Sequence, residues 1–92
     1  MIDKPVLITT SHRGVFYGRL SDDQDENSRT LVLVNCRNVI YWAGSNGFLG
    51  LAADGPEHES RIGSTAPRVR IHDITSVSDC SQAAADKFEA WP

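Results

Sequence analysis

The sequence predicts a mostly β domain, a small barrel of about five short strands closed by a C-terminal α-helix. Short runs rich in β-branched residues alternate with polar or glycine-containing turns, and the apolar spacing becomes helical only near the C-terminus. The chain has 92 residues, which is the length of one domain. We therefore expect a single domain over residues 1–92, with strands within about 5–78 and the helix at about 81–91.

The first two strands are predicted on either side of a tight turn. Residues 6–10 are short and β-branched, and Gly14 is expected to supply the positive φ of a hairpin before a strand at 15–20. Gly18 lies in the middle of that second strand. A glycine at such a position marks a bulge, a sharp bend or a close approach of backbone.

An acidic, polar segment at 21–29 is predicted to be a solvated loop, and a long apolar stretch follows it. The stretch runs from 30 to 42 and is interrupted by Asn35, Cys36, Arg37 and Asn38. Neither glycine nor proline is present in the interruption, so we predict one long bent strand rather than two strands joined by a turn.

The next segment is predicted from its turn residues. Asn46-Gly47 favours a hairpin turn, residues 48–52 favour a short strand, and Asp54-Gly55-Pro56 ends it. Residues 57–67 are predicted to be a loop. A strand at 69–72 directs Val69 and Ile71 inward and Arg68, Arg70 and His72 outward, and residues 74–77 are either a last strand or an extension of this one.

The C-terminal segment has the spacing of a helix. Ala84, Phe88 and Trp91 form one apolar stripe, and the predicted cap is Asp79, in a capping box with Gln82, or else Ser81. A helix of about ten residues is marginal alone in water. It must therefore dock, either on its own barrel or on a second subunit.

Charge and cysteine content restrict the classes of function. The net charge is −3, which argues against general nucleic-acid binding, although seven of the nine cations are Arg. No signal peptide and no apolar span is seen, so we expect a cytoplasmic protein with reduced thiols. A disulfide between Cys36 and Cys80 is neither required nor ruled out.

No pattern in the sequence indicates catalysis, a cofactor or a metal. His12, His58 and His72 lack the spacing of a zinc site, and the acidic loop lacks the spacing of a calcium loop. A nucleophile elbow and a phosphate-binding glycine loop are also missing. We therefore predict a protein that is not an enzyme.

Arginine and aromatic residues instead suggest a binding site. Arginine grips phosphate and aromatic rings stack on bases, which is the chemistry that nucleotide ligands need. Asn35 and Asn38 are included because a polar break between apolar runs requires hydrogen bonds. The predicted ligand-binding residues are Arg37, Asn35, Asn38, Tyr41, Tyr17 and Arg19; Arg13 and Trp42 belong to the wider set, with Trp42 expected mainly in the core.

Two resemblances extend this interpretation. Gly14, Gly18 and Leu20, followed by an acidic loop with Asn27 and the apolar residues 31–33, resemble the first Sm motif, over about a third of the chain. This resemblance implies an SH3-like or Sm-like barrel; the second Sm motif, an Arg-Gly pair, is absent, which argues against Sm-type RNA binding.

The second resemblance is to small uncharacterised proteins of tailed phages and prophages. It rests on residues 14–18, on Arg37 with Tyr41-Trp42, and on residues 51–56. It implies a phage origin, action in the host cytoplasm and little about mechanism.

The leading hypothesis is a homo-oligomeric phage accessory protein that sequesters a phosphorylated nucleotide signal of host defence. The alternatives are a phage protein that binds a host protein through a barrel edge or the terminal helix, and an Sm-like RNA-binding module. On the leading hypothesis, Arg37→Ala should abolish ligand binding and leave the melting temperature nearly unchanged.

Overall fold

The computed structural model describes residues 3–11, 14–42 and 47–92. In this part of the chain, five antiparallel strands form one sheet in the order β4-β3-β2-β1-β5, and two short helices accompany it. The prediction of a mostly β domain with a terminal helix is confirmed. The elements are β1 (Asp3–Thr10), β2 (Val15–Ser21), β3 (Leu31–Tyr41), α1 (Gly47–Asp54), β4 (Arg61–Ile71), β5 (Ile74–Asp79) and α2 (Gln82–Ala90).

The sheet curls strongly at the connection between β4 and β5. These strands form its opposite edges, yet only His72 and Asp73 separate Ile71 from Ile74. The edges of a flat five-stranded sheet would be roughly 19 Å apart, whereas three Cα–Cα steps reach at most about 11 Å. The two edges must therefore approach each other at this corner, where Asp73 has a φ of 57°.

Curling gives the sheet an inner and an outer face, and each face buries its own apolar cluster. The inner cluster is made only of strand side chains and draws on all five strands. The outer cluster joins strand side chains to both helices. The inner cluster is Val6, Ile8, Leu20, Leu31, Leu33, Cys36, Ile71 and Ile74; the outer cluster is Leu7, Val15, Tyr17, Val39, Leu51, Ala52, Ala85 and Phe88.

A bulge in β3 changes which residues face inward. The pairing of β2 with β3 shifts register between Tyr17 and Arg19, and Asn35 adopts a φ of 52°. Before this point the odd-numbered Leu33 lies in the inner cluster, and after it the even-numbered Cys36 does. One extra residue in a strand reverses the parity of all that follow. The predicted bend in one long strand is confirmed, and Gly18 lies opposite it.

Two predictions for the middle of the chain are wrong. Residues 48–52 belong to the helix α1, because Phe48, Leu51 and Ala52 all contact the outer cluster at helical spacing. Residues 57–67 are not all loop, since β4 begins at Arg61 and extends the pairing of β3. Asn46, on which the predicted hairpin depended, lies outside the described residues.

The turn prediction at Gly14 needs correction, and of the two predicted helix caps the structure has Ser81. Gly14 has no positive φ; a Cβ there would lie 2.5 Å from Thr10 Oγ1, so glycine serves close approach. Asp79 belongs to β5, and Ser81 is the N-cap of α2, accepting a hydrogen bond from Ala84 N at 3.0 Å. Gly55 ends α1 with a φ of 84°.

The terminal helix packs on its own sheet. Ala84, Ala85 and Phe88 are fully buried, and Ala85 and Phe88 belong to the outer cluster. Ser81 also ties α2 to α1, since its backbone N–H donates to Ala52 O at 3.0 Å and its hydroxyl donates to Ala53 O. Neither of the helices within the described ranges has the length and apolar character needed to cross a membrane.

The close approach at Gly18 predicts that a methyl group added there destabilises the protein more than one added at Gly63. An added Cβ would lie 2.8 Å from Leu33 Cβ, so we expect Gly18→Ala to lower the free energy of unfolding by about 1–3 kcal/mol. Gly63→Ala is the matched control, because its nearest atom would be Asn38 O at 3.3 Å. Equal losses for the two variants in urea unfolding would contradict the packing described here.

Candidate functional site

The C-terminal end of α2 is fixed to the sheet by one buried arginine. Arg37 is 5% exposed and projects from β3 onto the outer face. Its Nη1 donates to Phe88 O at 2.8 Å and to Trp91 O at 2.7 Å, and its Nε donates to Gly63 O at 2.7 Å. The carbonyls at a helix C-terminus carry partial negative charge, which favours a cation there. Arg37 therefore stabilises the packing of α2 on the sheet.

A second set of contacts surrounds Tyr17, which pairs directly with Arg37 across β2 and β3. The Tyr17 ring is fully buried and stacks on Phe88 with centroids 4.5 Å apart. Its hydroxyl donates to Glu89 Oε2. Arg19 binds the same carboxylate through two nitrogens, with Nε at 2.7 Å and Nη2 at 3.1 Å. We call Tyr17, Arg19 and Glu89 the carboxylate cluster.

The carboxylate cluster shifts the protonation of its members. The hydrogen bonds from Arg19 and then Tyr17 lower the pKa of Glu89, against an opposing effect of burial. Burial, followed by the hydrogen bond to Glu89, raises the pKa of Tyr17. The Tyr17 hydroxyl therefore stays protonated and Glu89 stays ionised around neutral pH. Neither group is free for proton transfer to a ligand.

A small depression opens beside these contacts. It has a volume of about 150 Å³ and is lined by Asn35, Arg37, Thr65 and Glu89. Thr65 pairs with Arg37 across β3 and β4. This volume is below the roughly 300–1,000 Å³ of drug-sized ligand pockets, so it could hold only part of a nucleotide.

The neighbouring part of the outer face is not covered by a helix. Val32 pairs with Arg70 and Val34 with Arg68, and both valines precede the bulge on the outer face. Arg68 and Arg70 are exposed, and with Val32 they line a second depression of about 200 Å³. Neither arginine forms an ion pair with any residue that the structure describes. We call Val32, Val34, Arg68 and Arg70 the basic shelf.

The structure brings together four of the six predicted ligand-binding residues. Tyr17, Arg19, Asn35 and Arg37 lie around Glu89 or the small depression. Asn38 and Tyr41 are exposed further along β3 and line neither depression. Arg13 and His12 lie outside the described residues.

Tyr17 and Trp42 are used in packing and do not form an open surface on which a base could stack. Tyr17 is covered by Phe88, and the expected core position of Trp42 is borne out in part, since it packs edge-on against Phe48 with centroids 6.4 Å apart. Tyr41 is 55% exposed and pairs with Arg61 at the far end of β3.

Sequence reasoning missed three residues of this region. Arg68 and Arg70 were predicted to point outward, and they do, but they were left out of the binding set. The sequence pattern that could have identified them is the alternation of arginine with Val69 and Ile71. Glu89 carried no local signal, because its partners Tyr17 and Arg19 are about seventy residues away in sequence.

The cysteine thiols lie in separate environments. Both are free; Cys36 belongs to the inner cluster and Cys80 packs against the outer one. Burial raises the pKa of Cys36 to about 11 and that of Cys80 to about 12, so both thiols are protonated and poorly reactive near neutral pH. No group of three metal-ligating side chains occurs among residues 3–11, 14–42 and 47–92.

Comparison with known proteins gives one match. The model of a family described as a domain of unknown function (DUF6948) matches residues 3–88, which is nearly the whole chain. No curated protein and no solved structure matches. The resemblances to phage proteins and to the first Sm motif therefore stay predictions.

The contacts of Arg37 predict that its variants lose stability, whereas the sequence-based expectation was a nearly unchanged melting temperature. Replacing Arg37 with Met keeps most of the aliphatic stem and removes the donors to three carbonyls. We expect the free energy of unfolding to fall by about 2–3 kcal/mol, with hydrogen exchange accelerated first in α2. Arg68→Met is the exposed control and should change stability little. An unchanged melting temperature for Arg37→Met would restore the sequence-based expectation.

The lowered pKa of Glu89 predicts a pH-dependent contribution to stability. A depressed folded-state pKa stabilises the protein above the unfolded-state value, which is about 4.3 for Glu, and this stabilisation disappears as pH falls through the folded value. The difference in unfolding free energy between wild type and Glu89→Gln should be largest near neutral pH and shrink below about pH 4. Urea unfolding at pH values from neutral to below about 4 measures this difference in unfolding free energy. A difference that does not change with pH would contradict the lowered pKa of Glu89.

Proposed function

We propose, for a chain that belongs to the family described as a domain of unknown function (DUF6948), that it binds phosphorylated small ligands of nucleotide type without transforming them. The proposed site is the basic shelf together with the adjoining small depression. The proposal keeps the ligand class suggested by the sequence and moves its centre from Arg37 to Arg68 and Arg70.

The observation that carries the proposal is a pair of exposed guanidinium groups that form no ion pair with the part of the chain that the structure describes. Arg68 and Arg70 lie two residues apart on one face of β4, which places their Cα atoms about 6.6 Å apart. Two planar guanidinium forks at this spacing can hold one phosphate from both sides or two adjacent phosphates. Lys4, by contrast, already holds the carboxylates of Glu26 and Asp79.

The charge around the basic shelf differs from the net charge of the chain. The net charge is −3, but among the residues that line the two depressions Glu89 carries the one carboxylate, and it is bound by Arg19. The acidic residues 22, 23, 25 and 26 belong to the β2–β3 loop, which is hydrogen-bonded to the Val32 backbone through Gln24. A phosphate approaching from the β4 side meets Arg68, Arg70 and the apolar surface of Val32 and Val34.

The shape of the site supports recognition through phosphate rather than through base stacking. No aromatic side chain lines either depression. Thr65 and Asn35 offer hydrogen-bonding groups next to the shelf, and Val34, which is 41% exposed, offers an apolar contact for a sugar or a base. The ligand would lie along β3 and β4 rather than enter a closed pocket.

The side chains around the shelf favour binding over catalysis. Histidine and cysteine are not among the residues that line the two depressions. Glu89 is the one carboxylate there, and its two oxygens accept hydrogen bonds from Tyr17 and Arg19. A general base needs a free lone pair and a pKa nearer neutrality.

The barrel class is part of the same proposal. A strand order of β4-β3-β2-β1-β5 with a two-residue corner between the edge strands is what a small open barrel of the SH3-like or Sm-like kind would show. In this arrangement the basic shelf lies on the outside of the barrel. The absence of the second Sm motif, an Arg-Gly pair, argues against Sm-type RNA binding.

Calorimetry with a ligand panel tests the function. The panel contains AMP, ATP, a cyclic dinucleotide and inorganic phosphate. We expect at least one nucleotide to bind, with Arg68→Gln and Arg70→Gln each weakening affinity about tenfold, as loss of a charge-assisted hydrogen bond implies. The melting temperatures of both variants should stay near that of the wild type, because both side chains are exposed.

Arg61→Gln is the matched control for charge. Arg61 is also exposed on β4, about 23 Å along the strand from Arg68. Its loss should leave affinity unchanged. Absence of heat with every member of the panel, or equal losses for Arg61→Gln and Arg68→Gln, would overturn the proposed function.

A further inference from the structure

We infer that the free edge of β5 is a docking site for an extended, basic segment of a partner protein, which adds as a strand to the sheet. This site is separate from the basic shelf on β3 and β4. The inference rests on a slot at that edge, on unpaired backbone groups that face away from β1, and on the charges that surround them.

The slot lies between β5 and the β2–β3 loop. Its volume is about 370 Å³, and its walls are residues 74–77 on one side and residues 26–29 on the other. Two contacts tie the loop to the strand. Ile74 N donates to Arg29 O at 3.1 Å near one end. Toward the other end, Lys4 Nζ bridges Glu26 at 2.9 Å and Asp79 at 3.1 Å.

The register identifies which backbone groups of β5 are free. Cys80 N donates to Pro5 O, and Val6 pairs with Asp79 and Ile8 with Val77. Hydrogen-bonded and non-hydrogen-bonded pairs alternate in an antiparallel ladder. Asp79 and Val77 therefore direct their N–H and C=O groups away from β1.

These outward groups meet no backbone partner among the described residues. At the same edge Ile74 N already donates one backbone hydrogen bond to the β2–β3 loop, at Arg29 O. An extended peptide could continue this pairing at Val77 and Asp79, as in other cases of strand addition.

Charge selects a basic partner. Glu26 lines the slot, Asp79 lies on β5 just beyond it, and the loop also carries the exposed Asp22, Asp23 and Asp25, which outnumber the one cation that lines the slot, Arg29. Lys4 already shows that Glu26 and Asp79 together hold an ammonium group. A lysine or arginine of an incoming strand would compete with Lys4 for these two carboxylates.

A second copy of the chain is a less suitable occupant. The other free edge, β4, contains Pro67, which has no N–H to donate and interrupts strand pairing. The β5 edge of a second copy carries the same carboxylates, so pairing β5 with β5 would bring like charges together. The proposal therefore commits to a segment of another protein, and self-association is an outcome that the test can detect.

The probe is a capped hexapeptide of alternating Lys and Thr, titrated against the whole chain and followed by NMR. We expect the amides of Val77 and Asp79 to shift and to exchange about tenfold more slowly. An alternating Glu and Thr peptide should bind at least about tenfold more weakly. Two further probes carry N-methyl groups on odd or on even residues, and only one of them should lose binding, because one register of amides faces β5.

Variants of Lys4, Glu26 and Asp79 are expected to change the affinity for the Lys probe in opposite directions. Glu26→Gln combined with Asp79→Asn should weaken binding of the Lys probe about tenfold, whereas Lys4→Gln should strengthen it several-fold by removing the competitor. Arg68→Gln should not affect this probe, so failure here is distinguishable from failure of nucleotide binding. Equal binding of both charge types, unperturbed β5 amides, or concentration-dependent self-association that protects these amides would overturn the inference.

Discussion

The buried guanidinium of Arg37 decides where the C-terminal helix lies. Its three hydrogen bonds go to carbonyls of the β4 backbone, of α2 and of the residue after α2. A nine-residue helix would be marginal by itself, and burial of a charge costs free energy unless it is well paired. Each group offsets the cost of the other: the helix end supplies partial negative charge to the buried guanidinium, and the arginine supplies donors to the carbonyls at the helix end.

The bulge at Asn35 makes this contact possible. Without the extra residue, parity would place Arg37 on the inner face, among the aliphatic side chains of the inner cluster. The shift in register turns Arg37 outward and turns Cys36 inward. Gly18 lies opposite, where Leu33 leaves no room for a Cβ. A conformational feature of a single residue therefore fixes the position of α2, the stacking of Phe88 on Tyr17 and the location of Glu89.

The placement of α2 also determines which surfaces remain open. The helices cover the outer face near Val39 and Tyr17 and leave the surface at Val32 and Val34 exposed, with two unpaired arginines beside it. On the other edge, Lys4 joins the acidic loop to β5 beside a polar slot. The overall charge of −3 conceals this separation of a basic surface from an acidic one. The two proposed binding sites follow from it.

The sequence by itself determined the β class, most of the strands and the terminal helix. Parity directed Arg68 and Arg70 outward, because side-chain alternation is a local property of a strand. Residues 48–52 were misassigned, since a short apolar run fits a strand or a helix and only its packing against α2 decides between them. The role of Arg37 could not be predicted for a related reason. Its partners are 26 to 54 residues away in the chain, and no local pattern specifies which distant carbonyls a long side chain will meet once the sheet has curled.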